Sequence, residues 1–200
     1  MIVISVAAIV AVSFFVPLMK HEHDRRMTSS CANHAIQLKF LVMSFVETNQ
    51  YFPSTRDARS AFAKMSHSVE GPLDSFSSYG SACPESFQRD KSIGYVFVAD
   101  GLSTKTVVEH SALVFFCPAG SHQRSEQHCH AMLSDRLTCL KSNAEMIQLL
   151  RQELSRVEAG SVLYSTNAQA LMARELAARE KHARKREFDK PDPTNRRGPP

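Results

Sequence analysis

The chain of 200 residues contains no tryptophan and only 7 glycines. It has no Gly-rich loop to wrap backbone amides around a phosphate, no Gly-x-Ser-x-Gly elbow to hold a nucleophile, and no His-Glu-x-x-His helix. A Cys-x-x-Cys zinc knuckle is missing too. These absences exclude the catalytic classes that announce themselves by motif, and the chain is read as a non-enzyme without a cofactor. A generally basic surface is also lacking. The net charge is +4, and residues 179–200 hold eight Lys/Arg against four Asp/Glu, which accounts for all of it. Such a tail is a solvated end and not the folded basic face that grips nucleic acid, so no nucleic-acid partner is expected.

What is present is an apolar fraction of 43%, sufficient for one modest domain with appendages. Residues 2–19, IVISVAAIVAVSFFVPLM, form an uncharged run of 18 residues. As a helix this run reaches the lower limit for crossing a hydrocarbon core of about 30 Å. Pro17 weakens its last turn and KHEHDRR at 20–26 ends it. A cleaved signal peptide is the alternative, but no basic segment precedes the run and no small-x-small site follows it. The expectation is therefore a transmembrane helix and polar junction over residues 1–27, in contact with membrane lipid. Lys20, Arg25 and Arg26 would by charge alone favour a cytoplasmic location for the rest of the chain.

From Thr28 to Val46, Cys31, Ala35, Leu38, Val42 and Phe45 recur at four- and three-residue spacing, the mark of a helix with one buried face. Phe and Met within 40–46 are read as part of the same core. Asn49, Gln50 and Pro53 should stop this helix. Ser54 with Asp57 can cap a short one facing inward through Ala58, Ala61, Phe62 and Met65. Residues 68–92 read as loop, and 93–98, 111–116, 130–134 and 136–140 as strands of a small antiparallel sheet. Asp100-Gly101 is a candidate turn, and 117–129 a long polar loop. Ser142 with Glu145 predicts a capping box opening a helix with a buried stripe of Ile147, Leu150, Leu154 and Val157, ended by Gly160. Thr166 with Gln169 begins another helical pattern through Leu171, Met172 and Leu176, and the last dozen residues should be disordered.

One further pattern is a matter of spacing. Cys31 follows Pro17 by fourteen positions, and Pro53, preceded by Phe52, follows Cys31 by twenty-two. Asn33 and Gln37 fall on the polar positions of a C-x-N-N-L-K-Q-I-G segment, although His34, Ala35 and Lys39 depart from it. In MLSDRLTCL, Asp135 takes the place of the aspartate in a terminal Phe-Ala-Asp-Gly-His-Val strand, with Arg136 instead of the glycine. On these residues the chain resembles the type II secretion G-like, pilin-like proteins of planctomycetes and verrucomicrobia, over roughly residues 2–53 and 93–155.

The resemblance implies an α+β, pilin-like fold, with a long N-terminal helix packed on a small antiparallel sheet. It also implies a single-pass protein of the bacterial inner membrane with its bulk outside the cytoplasm, against the charge cue, and other pilin-like subunits as partners. The family's Gly-Phe-Thr-Leu-x-Glu processing motif is absent, and its glutamate, counted back from Pro17, falls just before Met1. Either the start lies further upstream or the motif is lost, and with it the glutamate that pairs with a neighbour's N-terminal amine.

The segment CPAGSHQRSEQHCH supplies Cys117, His122, His128, Cys129 and His130, ligand types suited to zinc. Adjacent side chains on a strand point to opposite faces, so His128, Cys129 and His130 cannot share one ion. A disulfide between Cys117 and Cys129, or of either with Cys83, is the stronger expectation for an exported domain. Cys31 and Cys139 are read as buried small hydrophobes.

The organisation expected is thus 1–27 anchor, 28–160 pilin-like globular domain, and 161–200 charged helical extension and tail. The functional expectation is a non-catalytic, membrane-anchored structural or assembly component of a type II secretion or type IV pilus-like system. The alternatives are an exported domain binding a metal or ligand through the 117–130 loop, and a stand-alone anchored protein unable to assemble.

Overall fold

The apolar spacing that begins at Cys31 becomes helix α1, residues 31–49 of the computed structural model. The structure describes residues 31–54, 58–66, 95–100, 102, 103, 111–119, 129–140 and 142–188. The expected membrane run at 2–19, the 68–92 loop and the last dozen residues all lie outside them. Cys31, Ala35, Leu38, Val42 and Phe45 of α1 are buried, as the spacing predicts, and Leu41 joins them. The opposite face carries a correction. Phe40 and Met43, expected in the core, are 64% and 44% exposed, because they lie half a helical turn away from the Leu38–Val42 stripe.

Asn49 and Gln50 end α1 with the chemistry the sequence suggests. The Asn49 side-chain amide donates to the Phe45 carbonyl oxygen at 2.8 Å, and Gln50 takes a left-handed conformation with φ of 62°. Helix α2, Ala58–Ser66, buries Ala61, Phe62 and Met65.

Strands β1 (Val96–Phe97), β2 (Leu113–Phe116), β3 (Cys129–Leu133) and β4 (Leu137–Leu140) form an antiparallel meander in that order. Every residue of β2 and β3 is buried. Central strands covered on both faces need apolar side chains on both, which explains the continuous LVFF run of β2. On one face, Phe62 of α2 packs edge-on against Phe97 and Phe115 at 5.9 and 5.8 Å, and Tyr95 meets Phe115 at 5.4 Å. The β3–β4 hairpin closes through reciprocal backbone bonds between Leu133 and Arg136, of 2.8 and 3.1 Å.

Helix α3, Asn143–Glu158, starts with the predicted capping box. Ser142 Oγ accepts from Glu145 N, and the Glu145 carboxylate accepts from Ser142 N at 2.9 Å. Ser142→Ala should cost about 1 kcal/mol, read as a shift of the chemical unfolding midpoint by far-UV circular dichroism. An unchanged midpoint would refute a contribution from the cap.

The buried stripe of α3 is rotated from the expected one. Met146, Leu150 and Glu153 are fully buried, while Ile147, Leu154 and Val157 are only partly so. A glutamate at the centre of a helix's inner face is tolerated because partners surround it. The Tyr164 hydroxyl donates to Glu153 Oε2 at 2.7 Å, Arg156 Nη1 donates to Oε1 at 2.7 Å, and Leu113 N donates at a longer 3.4 Å. Burial, with the neighbouring Glu153 charge, pushes the Tyr164 hydroxyl far above its ordinary pKa.

Gly160 ends α3 as predicted, with φ of 69° and with Gly160 N bonded to Val157 O and Ser161 N to Arg156 O, both at 2.9 Å. The core continues past it through Val162, Tyr164, Ala168 and Met172. Helix α4, Thr166–Phe188, is capped by Ser165, whose Oγ accepts from Ala168 N at 3.1 Å.

The anchor is a second correction. Among the described residues no helix is long and apolar enough to cross a membrane, so a single-pass inner-membrane protein is not what the structure displays. Helix α4 has 23 residues but carries charge along much of its length, and α1 turns its main apolar stripe to the sheet.

Candidate functional site

Two adjacent strands and one helix converge on a buried point. Cys31 lies at the start of the described part of α1, Cys117 directly follows β2, and His130 is the second residue of β3. Cys117 N donates to His130 O at 3.0 Å, which carries the β2–β3 ladder one residue beyond Phe116. That pairing sets the two side chains on the same face of the sheet. The face is the one α1 covers, and Cys31 Sγ comes to 3.7 Å from Cys117 Sγ. The ligand atoms of Cys31, Cys117 and His130 all lie within 4.8 Å of one another, and all three residues are buried.

The two sulfurs are also oriented. His130 N donates to Cys117 Sγ at 3.3 Å. The Tyr95 hydroxyl donates to the Cys31 carbonyl oxygen at 3.2 Å, and its oxygen lies 3.3 Å from Cys31 Sγ. Two soft sulfur ligands and one imidazole form a donor set for a thiophilic cation.

Alternation along β3 turns Cys129 away from this cluster. Its thiol donates to the Cys117 carbonyl oxygen at 3.6 Å and lies 3.8 Å from Arg179 Nη2 of α4. No sulfur–sulfur bond joins Cys117 to Cys129. Arg179 is buried, donates to the same Cys117 carbonyl and to Asn143 Oδ1 at 3.1 Å, and lies 3.8 Å from Glu175 Oε2. Helix α4 is thereby tied to the strand ends that carry the cluster.

Of the ligands expected from the 117–130 segment, Cys117 and His130 come together, Cys129 faces elsewhere, and His122 and His128 lie outside the described residues, as does Cys83. Cys139, expected to be buried, is exposed on β4, an edge strand. Among the motif positions, Pro17 lies outside the described residues. Asn33 and Gln37 are exposed on α1, and Phe52 and Pro53 are buried where the chain leaves it. Asp135 sits in the β3–β4 loop and accepts from Ser111 Oγ, and that bond holds its carboxyl below the ordinary carboxylate range. It fastens a hairpin; nothing in this geometry gives it a chemical task.

Cys31 is the member that sequence reasoning missed. No local spacing connects it to Cys117 or His130, and only the docking of α1 on the sheet does so. No family model matches the chain, and neither a curated protein nor a solved structure matches it.

Proposed function

We propose that this chain is a non-catalytic, pilin-like structural or assembly subunit that works by packing against other subunits, as in a type II secretion or type IV pilus-like system. What supports the reading is α1. One apolar stripe of the helix enters the core, and a second, Ile36, Phe40 and Met43 at 41, 64 and 44% exposure, faces outward at helical spacing. A helix with apolar side chains on two opposed faces has more apolar surface than its own sheet can cover, which suits a helix shared between neighbouring subunits. The order of elements, helices α1 and α2 before an antiparallel meander, is compatible with the pilin-like arrangement that the family resemblance implies.

The test is self-association of the full-length chain by sedimentation velocity, in parallel with Phe40→Glu. Burying one such aromatic contributes about 1.5–3 kcal/mol, so the charged variant should associate about tenfold to hundredfold more weakly. Equal association of the two proteins would exclude this face as the contact. Wild-type protein that remains monomeric at high concentration would remove the basis for the assembly reading.

A further inference from the structure

We propose that Cys31, Cys117 and His130 form a buried structural zinc site that clamps helix α1 to the β2–β3 strand pair. The inference stands on the cluster itself and does not depend on the assembly reading.

Tetrahedral zinc with Zn–S bonds of about 2.3 Å places two cysteine sulfurs about 3.8 Å apart. Cys31 Sγ and Cys117 Sγ are 3.7 Å apart, and His130 completes the set with every ligand atom within 4.8 Å of the others. The ladder bond at Cys117 and His130 fixes two of the three ligands relative to each other within the sheet, and α1 brings the third.

Charge selects the ion. Two thiolates carry two negative charges, and a divalent cation neutralises them with the imidazole remaining neutral. A monovalent ion would leave a net charge among residues that are 0, 0 and 3% exposed, at a large cost in desolvation. Zinc also accepts this mixture of soft and borderline ligands, whereas magnesium and calcium require oxygen.

The surroundings fit a closed site. His130 N already donates to Cys117 Sγ at 3.3 Å, the kind of bond that stabilises and orients a metal-bound thiolate. The Tyr95 hydroxyl, 3.3 Å from Cys31 Sγ and itself buried, is placed to donate a second such bond, to the Cys31 thiolate. All of these groups are buried, which suits a site whose role is to hold α1 in place. Binding releases two thiol protons to solvent and leaves the histidine neutral, so affinity falls as the pH is lowered.

A rival chemistry uses the same atoms. The two sulfurs could be oxidised to a disulfide, which requires them to close to about 2.05 Å and gives up two electrons to an oxidant. Metal content and intact mass separate the two.

Full-length protein purified under reducing conditions without chelator should contain about one zinc per chain. After the zinc is exchanged for cobalt(II), thiolate-to-cobalt charge-transfer absorption should appear and vanish on adding zinc. Cys139→Ser should leave that absorption unchanged, and Cys31→Ser and Cys117→Ser should abolish it. Tyr95→Phe, which keeps the ring in place, should weaken zinc binding by about tenfold to hundredfold.

Folded, reduced wild-type protein that binds neither ion would overturn the proposal. A full charge-transfer band in Cys31→Ser would also overturn it, because the metal would then sit elsewhere. The same holds for wild-type protein with an intact mass two hydrogens low and a cross-linked Cys31–Cys117 peptide. The first and last of these outcomes are read on the wild-type chain, so they remain decisive even if a cysteine variant fails to fold.

Discussion

Glu153→Ala is expected to lower the free energy of unfolding by about 3–5 kcal/mol. The glutamate is 1% exposed and accepts from Tyr164, Arg156 and Leu113, which belong to the segment after α3, to α3 itself and to β2. Removing the carboxylate takes away the acceptor 2.7 Å from Arg156 Nη1, a donor that also reaches the Ser111 carbonyl oxygen at 3.4 Å. It also leaves the Tyr164 hydroxyl with only the Leu113 carbonyl oxygen at 3.1 Å. A buried hydroxyl and a largely buried guanidinium that each lose their shortest hydrogen bond cost free energy. Glu153→Gln keeps an acceptor for Tyr164 but loses the charge, and should fall between wild type and alanine. The absence of tryptophan makes far-UV circular dichroism the suitable probe for chemical unfolding. A loss below about 1 kcal/mol for the alanine variant would show that the network contributes no more than an exposed pair.

Phe115→Ala should cost a similar amount, about 3–5 kcal/mol. Phe115 is fully buried at the middle of β2, and its ring is the meeting point of Phe62 from α2 and Tyr95 before β1. Truncation removes the apolar contact area and also two edge-to-face ring contacts, and the strand backbone on either side limits how far the cavity can collapse. Domains of ordinary stability hold about 5–15 kcal/mol in total, so either substitution should bring the protein close to its unfolding threshold. Phe115→Leu, which refills much of the volume, should recover more than half of the loss. A leucine variant no more stable than alanine would mean that ring geometry, and not volume, dominates at this position.

The two substitutions probe features of unequal legibility. The LVFF run around Phe115 reads as a buried strand from its apolar continuity alone. Glu153 does not read as buried at all. It sits one position from the stripe of Ile147, Leu150, Leu154 and Val157, and a glutamate beside an arginine three residues on normally signals a solvated face. Its burial results from the angle at which α3 docks and from the hydroxyl that Tyr164 supplies after the chain has turned at Gly160. Arg179 is a similar case. It lies within a basic stretch that composition assigns to a solvated end, yet it is buried because α4 carries it across to the Cys117 carbonyl oxygen.

By itself the sequence determined the parts of this protein whose causes are local. The helix that begins the described chain, the four strands, the capping box at Ser142 and the stop at Gly160 all stem from periodicity of the apolar residues, side-chain capping or the freedom of glycine at positive φ. Tertiary structure alone decided which residues meet. It brought Cys31 to Cys117, 86 positions away, and to His130 beyond it, rotated α3 so that a glutamate faces inward, and left Ile36, Phe40 and Met43 outward on a helix whose other side is core. The reason is that local propensity acts over a few residues, whereas contact between distant side chains depends on register and docking angle, which are settled only when the whole core packs.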